Sequence, residues 1–312
     1  MKILVFGAGG QIGREVCRAA WFPRYTITPL DRKVIDITNG AAVSAVLARE
    51  APDLVINLAA YTAVDRAESE PEAAWAVNCA GAAHIAAACD ESATPLIHLS
   101  TDYVFDGRNT EPYREEDAVG PLGVYGRSKE AGERAVRAAL ARHVILRTAW
   151  VFGAYGANFV KTMLRFATER PVLRVVADQR GCPTAAADIG AALMVIAWHI
   201  ERGEAKWGTY HFVGAGAVSW HGFAEAIFDL AAPQLAARPQ VEAISTDQYP
   251  TPARRPMNSV LDCRKIEAAF GILPPSWRVG LASAIREVLD SKAQCNLRED
   301  TGRAGGSARS GP

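Results

Sequence analysis

The sequence predicts an α/β protein, a doubly wound parallel sheet with a second, smaller domain. Three observations carry the prediction. Short, fully apolar runs alternate with Ala-rich helical stretches through the first half of the chain. That is the pattern of βαβ units whose strands are covered on both faces. The first apolar run, Ile3-Leu4-Val5-Phe6, leads straight into a glycine-rich turn, Gly7-Ala8-Gly9-Gly10-Gln11-Ile12-Gly13. After Thr148 the alternation weakens, and Pro171, Pro183, Pro250, Pro252 and Pro256 punctuate less regular segments.

In order along the chain, strands are expected at 2–6, 25–30, 54–58, 96–99 and 144–147, and helices at 11–20, 41–50, 72–89 and 124–140. A helix at 188–200 and a strand at 209–213 can rejoin the first sheet. The larger domain is thus 1–150 with 186–213, and the smaller one 151–185 with 214–290. The tail at 291–312 ends in Gly305-Gly306-Ser307-Ala308-Arg309-Ser310-Gly311-Pro312 and is expected to be disordered.

A chain of 312 residues, 49% of them apolar and 22% charged, can bury a large core. Basic and acidic residues balance at 34 each, so there is no bulk positive field to hold nucleic acid or an anionic membrane. The six cysteines form no Cys-x-x-Cys pair, which argues against a zinc site or a disulfide framework. No basic leader precedes the first strand, and no uncharged apolar run approaches ~18 residues. A cytoplasmic location is the expectation.

Gly7, Gly10 and Gly13 form a Gly-x-x-Gly-x-x-Gly turn between a strand and a helix. Glycine permits the tight turn and lets backbone N–H groups approach a pyrophosphate, which the helix N-terminus also attracts. The strand–turn–helix setting marks a Rossmann dinucleotide site. Asp31 ends the second strand, where a carboxylate can accept from ribose hydroxyls of NAD; Arg32 beside it can instead pair with the extra phosphate of NADP. NADPH and NADH both stay open, and Lys33 reads as a solvated turn. After the third strand, Ala59, Ala60 and Tyr61 fit either a passing cofactor or plain core packing.

Tyr125 and Lys129 stand four apart, on one face of a helix. A free tyrosine titrates near ~10. A neighbouring ammonium favours the phenolate, so Tyr125 can serve as proton donor to a carbonyl oxygen that receives hydride. The fourth strand ends in Ser100-Thr101, where a hydroxyl can orient the same oxygen. The order glycine turn, strand-end hydroxyl, Tyr-x-x-x-Lys is the informative feature, since each part alone recurs by chance.

With these residues the chain resembles the extended short-chain dehydrogenase/reductase family, and within it the reductases of 4-keto deoxysugar nucleotides. The likeness runs from Met1 to about Leu289. It is carried by Ala59-Ala60-Tyr61-Thr62-Ala63-Val64-Asp65, Ser100-Thr101-Asp102-Tyr103-Val104-Phe105, Tyr125-Gly126-Arg127-Ser128-Lys129, Arg147-Thr148-Ala149-Trp150-Val151, Asn158-Phe159-Val160-Lys161 and Tyr249-Pro250-Thr251-Pro252-Ala253-Arg254-Arg255-Pro256. The resemblance implies NAD(P)H-dependent reduction of the 4-keto group of dTDP-4-dehydro-L-rhamnose to dTDP-L-rhamnose, by a homodimer acting on a small nucleotide sugar. It implies Thr101, Tyr125 and Lys129 as the catalytic set, with Ser100 the alternative hydroxyl. Gly7, Gly10, Gln11, Ile12, Gly13, Asp31, Arg32, Ala59, Ala60 and Tyr61 would line the cofactor, together with Tyr125 and Lys129.

Thr62, Thr101, Trp150, Asn158, Arg254 and Arg255 would meet the substrate. Arginine forks suit a diphosphate, although a structural ion pair is the other reading of the two arginines. Some members of the family are thought to hold Mg²⁺ with carboxylates between subunits. Here Glu15 and Glu287 fall at suitable positions, Ala187 stands where a third carboxylate is expected, and Asp188 adjoins it. The ligand set is incomplete and no metal is assigned. Two other functional readings remain: an epimerase or dehydratase of the same fold, and a non-catalytic regulatory subunit.

Overall fold

The computed structural model describes residues 1–19 and 21–304. Six strands form the central sheet: β1 (Lys2–Phe6), β2 (Thr26–Leu30), β3 (Leu54–Asn57), β4 (Leu96–Thr101), β5 (His143–Thr148) and β6 (Gly208–His211). Every pairing is parallel, and the order across the sheet is β6-β5-β4-β3-β1-β2. Parallel neighbours need crossover connections, and helices supply them on both faces. On one face α1 (Gln11–Arg18) and α5 (Ala186–Glu201) bury Ile12, Val16, Ile189, Leu193 and Ile196 against Ile3, Val5 and Ile56. On the other, α2 (Gly40–Glu50), α3 (Ala82–Glu91) and α4 (Val124–Ala139) bury Val43, Leu47, Ile85 and Val136 against Leu4, Phe6 and Val55. The two-residue period of a strand sends Ile3 and Val5 one way and Leu4 and Phe6 the other. All four are buried, which is why the run reads as continuously apolar.

The chain passes from β1 outward to β2, then returns across β1 to β3 and continues the other way. The crevice outside the carboxyl ends of β1 and β3 is therefore a topological switch point, where open α/β sheets bind ligands. The single helix expected at 72–89 is built in three pieces: Pro71–Trp75, a π-helical turn Ala76–Gly81, and α3. The expected strand at 209–213 is β6, paired to β5.

A second core surrounds Phe152, Phe223, Phe228, Trp277 and Leu281, where the helices Phe159–Glu169, Trp220–Ala231 and Trp277–Ala304 meet. The strand pair Val172–Val176 and Gln240–Ile244 covers it. The helix Arg264–Phe270 falls within the range expected for the smaller domain, yet it packs Ile266 and Phe270 into the core of the large sheet. The last helix runs to Ala304 through most of the tail expected to be disordered. No glycine or proline interrupts the sequence from 291 until Gly302. Positions 305–312 of that tail, and Ala20 of the helix expected at 11–20, lie outside the described residues. Among the described residues no helix is long and apolar enough to cross a membrane.

Candidate active site

The glycine turn is shaped by contacts that admit no side chain. Gly7 has φ +80°, and a Cβ there would lie 2.5 Å from the Ala59 nitrogen. A Cβ on Gly13 would lie 2.3 Å from the Gly7 carbonyl oxygen. The Gly7 and Ala8 N–H groups donate to Leu30 O, and Gly10 N–H donates to Gly7 O. Gly10 begins α1 without a side-chain cap, so the first-turn N–H groups of Gln11, Ile12 and Gly13 keep their positive end directed at the crevice. Asp31 lies against the turn, 3.4 Å from where a Gly9 Cβ would be. Its Oδ1 accepts from the Lys33 and Val34 N–H groups, and Arg32 is exposed beside it. An open cleft of about 500 Å³ borders this corner, lined by Gly9, Arg14, Asp31 and Tyr155 among others.

Opposite the turn, the segment after β3 is held by side chains the sequence did not single out. Ala59 N–H donates to Asn57 Oδ1 at 3.0 Å. Tyr61 N–H donates to Asn78 Oδ1 at 2.8 Å, and Asn78 Nδ2 donates to Tyr61 O and to Ser128 Oγ. Asn78 sits in the π-helical turn, a form common at functional sites. The Tyr61 hydroxyl donates to Glu70. Thr62 is exposed at the mouth.

Lys129 is buried on α4, with Nζ donating to Leu99 O at 2.7 Å. Asn57 Oδ1 is engaged by Ala59, so its Nδ2 donates to His98 Nδ1 at 3.0 Å. That assignment places the proton of the neutral His98 ring on Nε2, 3.5 Å from Lys129 Nζ. Burial, and secondly the Lys129 charge, hold His98 well below its ordinary value. Burial pushes Lys129 down to about 8, against a smaller opposing pull from Glu133. Glu133 is itself paired with Arg147 at 2.7 and 2.8 Å. Burial alone would raise Glu133, but Arg147 holds it at about 2.

Tyr125 lies one turn before Lys129, at the start of α4, its ring edge-on to Tyr103 at 5.5 Å. Burial pushes its phenol up to about 12, and Thr101, at the end of β4, is the side chain that favours the phenolate. Thr101, Tyr125 and Lys129 thus come together at the carboxyl end of β4. The expected pull of Lys129 on Tyr125 is not among the influences on the phenol in the protein alone, which are burial, Thr101 and Asp102, and Nζ donates instead to Leu99 O. Ser100, the alternative hydroxyl, is buried and favours the Glu133 carboxylate.

The residues expected at the substrate divide. Arg255 is committed: its Nη2 pairs with Asp65 Oδ2 at 2.8 Å, and its Nη1 reaches Thr251 and Ala253 O. It is the structural ion pair, tying the Pro-rich loop to the segment after β3. Arg254 is exposed on a cleft of about 710 Å³ lined by Leu122, Gln179, Thr246, Tyr249 and Met257. Trp150 adopts φ +47° and stacks on Trp220 with ring centroids 3.5 Å apart. Asn158 caps the helix Phe159–Glu169, accepting from Lys161 N–H, and donates to Gln11 Oε1 at 2.9 Å. Its side chain fastens the smaller part of the molecule to the glycine turn.

Two of the carboxylates considered for Mg²⁺, Glu15 and Glu287, are already paired within this chain. The Arg18 guanidinium lies between them, 3.0 Å from Glu15 and 2.6 Å from Glu287. Among the described residues no three His, Cys, Asp or Glu side chains converge as a cation site.

The dTDP-4-dehydrorhamnose reductase of Aggregatibacter actinomycetemcomitans is 48% identical over 90% of this chain and 97% of its own length. A solved dTDP-4-dehydrorhamnose reductase of Clostridium acetobutylicum superimposes with TM-score 0.86 at 37% identity, over 92% of this chain and 99% of that one. The Bacillus anthracis dTDP-4-dehydrorhamnose reductase, solved in complex with NADP, gives TM-score 0.85 at 37% identity with the same coverage. The profile described as RmlD substrate binding domain matches residues 1–290. With that match spanning the sheet, the crevice and the second core alike, the chain belongs to the RmlD substrate binding domain family.

Proposed function

We propose that this protein catalyses the NAD(P)H-dependent reduction of the 4-keto group of dTDP-4-dehydro-L-rhamnose to dTDP-L-rhamnose. The observation that carries the reading is the convergence of Thr101, Tyr125 and Lys129 beside the glycine turn, at the switch point of a chain in this family. In this reading residues 1–150 and 186–213 hold the dinucleotide, and 151–185 with 214–290 shape the sugar-nucleotide side. NADPH is the favoured donor, supported by the NADP-bound Bacillus anthracis relative and by exposed Arg32 next to Asp31; NADH is the alternative.

When bound, the nicotinamide supplies the hydride. Gly7, Gly10 and the first-turn N–H groups of α1 receive the pyrophosphate. Thr101 donates a hydrogen bond to the keto oxygen. Tyr125 gives that oxygen its proton. Lys129 offsets the charge left on Tyr125. Arg254 faces the diphosphate. The protein is taken to act in the cytoplasm and as a homodimer.

The test is loss of NADPH absorbance on adding the protein to dTDP-4-keto-6-deoxyglucose with the 3,5-epimerase that forms the true substrate. Stoichiometric oxidation with dTDP-L-rhamnose as product is expected. No net oxidation would turn the reading toward an epimerase, a dehydratase or a regulatory subunit. A Tyr125→Phe variant that binds NADPH yet keeps full turnover would remove Tyr125 from its role.

A further inference from the structure

Thr101 is asked to donate a hydrogen bond to the substrate, yet in the structure its proton is already given away. Thr101 Oγ1 donates to Asp102 Oδ1 at 2.9 Å and accepts from the Tyr103 N–H at 3.2 Å. A hydroxyl has one proton, so the bond to Asp102 competes with the Thr101 bond that favours the Tyr125 phenolate. While Asp102 is a carboxylate, it can only accept, and it keeps that proton. Asp102 is 3% exposed, and its Oδ2 makes no hydrogen bond of good geometry among the described residues, the buried Ser259 hydroxyl being the only side chain besides Thr101 that acts on the carboxyl as a donor. A buried carboxylate with no cation beside it and a poorly satisfied second oxygen is costly, and the neutral acid is the form that such a site favours.

We propose that Asp102 is a positioning residue of the reduction: as a neutral acid it donates to Thr101 Oγ1 and releases the Thr101 proton to the keto oxygen, and as a carboxylate it withholds that proton. The inference rests on the reduction proposed above. Its surroundings are defined. The Asp102 charge acts on Tyr103, Tyr125 and the Cys182 thiol, the Ser259 hydroxyl acts on Asp102, and Arg255 and Asp65 act on Tyr103. Burial pushes Asp102 up to about 6, although Ser259 and Thr101 favour the carboxylate. Arrival of an anionic nucleotide sugar moves it further in the same direction. No proton is consumed at Asp102. The proton added to the sugar comes from Tyr125, and Asp102 sets only the direction of the bond in front of it.

The experiment is the pH profile of kcat/KM for the sugar nucleotide from pH 5.5 to 9, for wild type, Asp102→Asn and Thr101→Val, with NADPH binding measured in parallel. The wild type should fall about tenfold per pH unit above a limb near 6. Asp102→Asn, whose amide donates to Thr101 Oγ1 at every pH, should keep more than a tenth of the acid-side rate and lack that limb, declining only through Lys129 near 8. The residual rate of Thr101→Val should lack it too. A wild-type profile without the limb overturns the proposal, even if the Asn variant fails to fold. So does an Asn variant that retains the limb, or one that binds NADPH normally but turns over below a tenth. A wild type that oxidises no NADPH at any pH instead defeats the reduction itself.

Discussion

Replacing Lys129 by Met should make the protein more stable and inactive. The amine is 2% exposed, and burial lowers it from 10.5 to about 8. At about 1.36 kcal/mol per unit, forcing the native state to carry a buried ammonium at pH 7 costs about 3 kcal/mol relative to the neutral amine. Removing the amine also removes its bond to Leu99 O, a loss of about 1–2 kcal/mol. The net gain is about 1–2 kcal/mol, which raises Tm by about 2–4 °C. The pH dependence gives the sharper signature. Above about 10.5 the lysine is neutral in both native and unfolded states and carries no penalty. As pH falls from 10.5 to 8 the unfolded state takes up the proton first, so wild type loses stability relative to Lys129→Met, and below 8 the difference is constant. Denaturant unfolding of both proteins between pH 7 and 10.5, with NADPH oxidation measured alongside, reads the effect. A variant less stable than wild type at pH 7, with a stability difference that does not change between 8 and 10.5, would refute the assignment of a strained buried ammonium.

Three further outcomes follow from the geometry. Gly13→Ala drives a Cβ into backbone atoms, 2.3 Å from Gly7 O and 2.7 Å from Ala8 Cα, so it should cost about 2 kcal/mol or more and abolish NADPH binding, read by melting and cofactor fluorescence. Arg254→Ala should raise KM for the sugar nucleotide at least about tenfold at unchanged Tm, whereas Arg255→Ala, which breaks the pair with Asp65, should lower Tm; equal effects on both readouts would contradict the division of roles. Glu133→Gln should destabilise by about 3–5 kcal/mol at pH 7 by stranding the Arg147 charge. Because the native Glu133 titrates near 2 instead of 4.5, its contribution is present above about pH 4.5 and lost as pH falls towards 2. The gap between wild type and variant should close over that window.

The alternation of apolar runs and helices determined the parallel sheet. The glycine spacing fixed the turn after β1, and Tyr125 four residues before Lys129 placed both in the first turns of one helix. These are local signals, set by backbone sterics and by periods of two and 3.6 residues, and they survive without knowledge of the partner segments. Pairing across the fold left no such trace. Asn57, His98 and Lys129 lie on β3, β4 and α4, and only the packed sheet brings them into one chain. The same holds for Asn78, 17 residues from Tyr61 and 50 from Ser128. Two adjacent arginines look alike in sequence, and Asp65, 190 residues from Arg255, decides that Arg255 is a brace while Arg254 stays exposed on the cleft. The direction of the Lys129 pKa was likewise beyond the sequence. A neighbouring charge can be guessed from spacing, but desolvation depends on everything that closes over the side chain, and only the tertiary structure supplies that.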